Sequence, residues 1–115
     1  MSVTIYHNPR CSKSRQTLGL IQERIVDINI IEYLKTPPDI SQLKQILKKL
    51  AYEPRQLMRK SEQIYQDFDL GNENKTADDL IKAMAQNPIL IERPIVLSGE
   101  KAVIGRPPES VLNIL

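Results

Sequence analysis

One short stretch, YHNPRCSKSR at residues 6–15, holds the only cysteine and the only histidine of the chain. Arg10, Lys13 and Arg15 all stand within four positions of Cys11, and no acidic residue precedes Glu23. A free thiol ionises near pH ~8.5, whereas one at a helix start with cations nearby ionises at roughly 3.5–7.5. The Ser12 and Ser14 hydroxyls are further donors toward the sulfur, and His7 is one more group that can be cationic. The pattern describes a nucleophilic thiolate in a basic turn, suited to attack on an anion. The plainer alternatives are a buried, inert cysteine and a histidine that merely ends a strand. One Cys with one His cannot build a four-ligand zinc site, so no metal is expected.

Four arginines lie elsewhere in comparable settings. Arg93, in IERPIV, precedes a proline that opens a strand, a position open to a cis peptide bond. Arg106, in VIGRPPE, follows a glycine. Arg55 and Arg59 share EPRQLMRK, and position alone does not choose between them. Guanidinium forks suit a tetrahedral oxyanion, although a solvated surface cation is the ordinary role of an arginine.

The elements that must position these groups follow from periodicity. Residues 2–7 alternate as a strand and break at Asn8-Pro9. Residues 12–22 suit a helix with Leu18 and Ile21 on its apolar face, which places Cys11 at the helix start, where unpaired N–H groups favour an anion. Residues 25–31 read as a second strand, with Val26, Ile28 and Ile30 opposite Asp27 and Asn29. A helix with Leu43, Ile46, Leu47 and Leu50 on one face follows an N-cap at Asp39 or Ser41. Residues 54–75 suit short helical pieces and loops. Thr76 then caps a helix bearing Leu80, Ile81 and Met84, stopped by Asn87-Pro88. PIVL and KAVIG form a hairpin around Ser98-Gly99-Glu100, and PPESVLNIL reads as a last helix. The order β-α-β-α…α-β-β-α implies an α/β fold. Its first two strands are parallel, its last two form a hairpin, and all four join one mixed sheet with flanking helices.

The 115 residues fit a single domain, 1–115. A net charge of +2 is too small to suggest nucleic acid as partner. The lack of a long apolar run or an apolar leader argues against a membrane and makes the cytoplasm the default. A lone cysteine excludes an internal disulfide.

HNPRCSKSR resembles the signature of the glutaredoxin-related arsenate reductases, the ArsC family, in which H-N-P-x-C-S-x-S-R begins the first helix. LMRK, ERPIV and IGRPPE resemble three further segments of that family, in the same order. The resemblance implies a thioredoxin-like fold with a helical insertion at about 39–87. It implies that Cys11 attacks arsenate, that glutathione acts as co-substrate, and that glutaredoxin supplies a second thiol before arsenite leaves, with no bound cofactor. Carried over, Cys11 is the nucleophile and Arg59, Arg93 and Arg106 bind the oxyanion. His7, Ser14 and Arg15 support the thiolate, and Pro94 is the cis proline. The chain is expected to act as a monomer. Some relatives run further past the position of Arg106. Two other readings use the same fold: a glutathione-dependent thiol reductase, and a non-catalytic regulatory module. A related regulator group carries C-x-x-C, where this chain has Ser14, which counts against the second.

Overall fold

The computed structural model describes residues 2–115. The chain divides into two compact units, one formed by residues 2–36 with Arg93–Leu115, the other by Pro37–Glu92.

In the first unit, strand β1 (Val3–His7) buries Val3, Ile5, Tyr6 and His7. Helix α1 (Ser12–Gln22) follows the Asn8-Pro9 break and covers the span expected of it. Its buried residues are Ser14, Thr17 and Ile21, with Leu18 only half-buried. Counting apolar residues alone misplaces this face, because two of its three buried positions carry hydroxyls. Strand β2 (Ile28–Glu32) starts three residues later than the alternation suggests. The Ile25 amide still bonds the Ile21 carbonyl at 2.8 Å, so residues 25–27 continue the exit from the helix. Val26 is fully exposed as a result. Being an edge strand, β2 is only partly covered.

β1 pairs with β2 in parallel, Val3 opposite Ile28 and His7 opposite Glu32. It pairs antiparallel with β3 (Ile95–Ser98), which pairs antiparallel with β4 (Lys101–Ile104). The order is β2-β1-β3-β4, one mixed four-stranded sheet. The hairpin turn uses Gly99 at φ +59°, a conformation that suits glycine. Residues 108–113 form 3-10 turns, in place of the α-helix expected after Pro107. Val3, Ile5, Ile21, Val96 and Val111 form the core of this unit. This is the thioredoxin-like fold.

In the second unit, α2 (Ile40–Leu50) and α4 (Ala77–Gln86) each start with a reciprocal capping box. In α2 the Gln42 amide donates to Asp39 Oδ1 at 2.8 Å, and the Asp39 amide to Gln42 Oε1 at 3.0 Å. In α4, Thr76 and Asp79 play the same parts. Such caps contribute about 1 kcal/mol each. Between them lie a 3-10 turn at Pro54–Leu57 and the short helix α3 (Gln63–Asp67). Leu43, Ile46, Leu47, Leu80, Ile81 and Met84 are buried. No helix among the described residues is long and apolar enough to cross a membrane.

Candidate active site

The break after β1 turns the chain sharply. The Cys11 amide donates to the Asn8 carbonyl at 3.0 Å, and the Arg10 amide donates to the Asn8 side-chain oxygen at 3.0 Å. Cys11 thereby becomes the N-cap of α1, extended at φ −94°, ψ 121°, and its carbonyl accepts from the Arg15 amide at 3.0 Å. The first turn of α1 carries no acidic residue to satisfy its free amides.

The half-buried thiol is acidified. Burial pushes its pKa up, but the Ser14 amide, the positive charge of Arg93, the Lys13 amide and a hydrogen bond from Arg93 together outweigh it. No cap hydrogen bond is closed by the thiol itself; the amides act by favouring its anion. The cation that matters most is therefore Arg93, not the sequence neighbours Arg10, Lys13 and Arg15, which are exposed on the loop and helix surface. Arg93 stands two residues before β3, joined by a cis bond to the buried Pro94. Arg106 follows β4, and its Nη1 lies 3.9 Å from Cys11 Sγ. The Arg106–Pro107 bond is cis as well.

His7, Ser14 and Asn8 form a buried network behind the thiol. Ser14 Oγ lies 2.6 Å from His7 Nδ1 and accepts from the Asn8 amide at 3.0 Å. Burial lowers the His7 pKa, Glu32 opposes this and Arg15 adds to it, so the imidazole is neutral near pH 7. Arg15 Nη1 donates to the Pro9 carbonyl at 2.9 Å and so braces the Cys11 loop.

Thr17 is part of this construction, although nothing in its spacing advertised it. Its hydroxyl is positioned between the Lys13 carbonyl at 2.8 Å and the Gly105 carbonyl at 3.2 Å. The Gly105 amide donates to the Pro94 carbonyl at 2.9 Å. Gly105 thus ties helix α1, the Pro94 segment and the Arg106 loop together. Its only sequence signal was a glycine immediately before an arginine.

Arg59 belongs to the second unit, where its guanidinium contacts the Ile89 carbonyl at 3.4 Å and Glu62 at 3.8 Å. Arg55 is not a loose surface cation. Its Nε donates to the Leu70 carbonyl at 3.1 Å and its Nη2 to the Asn72 carbonyl at 2.7 Å, which clamps the 70–72 loop. Among the described residues, no group of three or more His, Cys, Asp or Glu is arranged to hold a metal.

The ArsC family model matches residues 6–114. The chain is 49% identical to the uncharacterized protein YfgD of Escherichia coli K12, covering 98% of this chain and 96% of that one. It is 46% identical to an arsenate reductase of Neisseria meningitidis serogroup A, covering 98% and 97%. A solved arsenate reductase from Vibrio cholerae superposes with a TM-score of 0.96 at 47% identity, covering 100% of this chain and 98% of that one. With an acidified thiol at a helix start, two arginines beside it and similarity along nearly its whole length, the chain belongs to the ArsC family.

Proposed function

We propose that this protein reduces arsenate to arsenite with glutathione and a glutaredoxin as electron donors. The observation that carries the reading is the Cys11 thiol, acidified at the start of α1 and flanked by Arg93 and by Arg106 at 3.9 Å. The reductase names of similar proteins point the same way.

The Cys11 thiolate attacks arsenic and a hydroxyl leaves as water after taking a proton from solvent, which forms a Cys11–S–As(V) bond. Arg93 and Arg106 hold the oxyanion and stabilise charge that shifts onto its oxygens, where fixed donors contribute most. Glutathione adds to the arsenic, its proton leaving with a second hydroxyl as water. The glutaredoxin thiolate then attacks the glutathione sulfur. A mixed disulfide forms, and the S–As electron pair stays on arsenic, now As(III). Hydrolysis of the Cys11–S–As bond releases arsenite and restores the thiol. Two external thiols have become one disulfide, matching the two electrons gained by arsenic. His7 and Ser14 fix the loop and first turn that present the sulfur. A reducing compartment suits both a persistent free thiol and the glutathione supply.

The test is arsenite formation by the intact protein with arsenate, glutathione and glutaredoxin. Turnover that disappears in Cys11→Ser supports the reading. Absence of arsenite, with glutathione-dependent reduction of a mixed disulfide retained, replaces it with a thiol reductase.

A further inference from the structure

Turnover needs reactants that the chain itself lacks. Two electrons come from two thiols that end as one disulfide, and Cys11 is the only cysteine. Both reducing thiols are external, and one of them must reach arsenic on Cys11. A cleft of about 270 Å³ opens on the loop that leads into Cys11, with Asn8, Pro9 and Arg10 on one side and Glu32, Leu34 and Lys35 on the other. His7, opposite Glu32 in the sheet register, also lines it.

We propose that this cleft binds the first external thiol, and that it selects a small peptide thiol carrying carboxylates together with an ammonium group. The proposal rests on the arsenate-reduction reading. Its charges alternate: Arg10 and Lys35 suit carboxylates, and Glu32 suits an ammonium. A simple oxyanion such as arsenate meets repulsion from Glu32, and a purely cationic ligand meets it from the other two. The Glu32–Lys35 pair, 3.5 Å apart, has side chains 43% and 80% exposed. Such an exposed pair exchanges partners at little cost. Pro9 and Leu34 give the thiol's methylene groups an apolar wall, and Leu34 is exposed enough to gain from being covered. The cleft is lined by residues 7–10 of the segment that leads into Cys11, and a thiol seated there has only the next residue to pass to meet the arsenic adduct. The thiol adds as RS–As while its proton departs with an arsenic hydroxyl as water, leaving arsenic at As(V) until the second thiol arrives.

The experiment titrates S-methylglutathione, which cannot react, into the isotope-labelled protein and follows backbone amide shifts. Saturable shifts concentrated at Asn8, Arg10 and residues 32–35 are expected. Lys35→Glu should weaken binding by about tenfold and Lys35→Arg should keep it. In turnover, Lys35→Glu should raise KM for glutathione by a similar factor while KM for arsenate holds. Shifts centred on residues 93–95, no saturable shifts, or equal binding by Lys35→Glu would overturn the proposal. Binding in the cleft without arsenate reduction would support the cleft and reject only the choice of oxidant.

Discussion

Gly105→Ala puts one methyl group into the joint that holds Arg106 beside the sulfur. A Cβ at this position would stand 2.5 Å from Thr17 Oγ1, 2.8 Å from Thr17 Cγ2 and 2.9 Å from Pro94 Cγ. Ordinary contact begins at 3.4 Å, so something must retreat by close to an ångström. Neither neighbour gives easily. Thr17 is fully buried and its hydroxyl is held between two carbonyls, and Pro94 is a buried ring. Forcing a methyl into such a site costs about 1–3 kcal/mol. The retreat also loosens the Gly105 bonds to Thr17 and Pro94 and carries Arg106 away from a sulfur it only just reaches at 3.9 Å. Urea unfolding of the parent and Gly105→Ala measures the first effect, and arsenate turnover of the still-folded variant the second. Adding Thr17→Ala removes two of the three clashes, so the double variant should be more stable than the sum of the singles implies. A Gly105→Ala protein within about 0.5 kcal/mol of the parent and equally active would refute the joint, since that is the behaviour of an unconstrained surface position.

Alkylation of Cys11 against pH should inflect below the free-thiol value of about 8.5, and Arg93→Ala should raise the inflection, because Arg93 is the chief cation acting on the thiol. His7 supplies a stability profile: the unfolded imidazole takes its proton near pH ~6.5 and the folded one only at lower pH, so the unfolded state binds more protons in that window. Stability, full above about pH 6.5, should therefore fall as the pH drops through the folded value, and His7→Gln should flatten the decline in urea titrations. Arg55→Ala should lower stability by about 1–3 kcal/mol through two lost carbonyl contacts while leaving most turnover intact. Arg59→Ala, at the position the family resemblance assigns to oxyanion binding, should lose about a hundredfold in turnover and remain folded; comparable turnover in both variants would reject that assignment.

Where periodicity was strong the sequence was readable: α1, α2, α4, the hairpin and the parallel first pair all form. It failed where a neighbouring element dictated the outcome. Residues 25–27 alternate like a strand, but the helix before them keeps the Ile25 amide. The site was legible as chemistry, a thiol at a helix start, but not as electrostatics. Nearby cations looked responsible, yet they lie exposed on the loop and helix surface and the fold brings Arg93 and Arg106 instead. Arg55 and Arg59 are four residues apart and alike in type. Only the carbonyls of Leu70 and Asn72, distant in sequence, mark Arg55 as a clamp. Thr17 escaped notice because a hydroxyl on a buried face leaves no periodic signature.

Sulfur occupies the cap of α1, where a hydroxyl or carboxylate ordinarily serves, and no acidic side chain in the first turn can replace it. The Arg15–Cys11 backbone bond at 3.0 Å closes that turn, and the solvation of its free amides follows the chemical state of one atom. A thiolate quiets the amides of Lys13 and Ser14; a protonated or alkylated sulfur releases them. Hydrogen exchange at those two amides becomes a gauge of the nucleophile, readable without substrate.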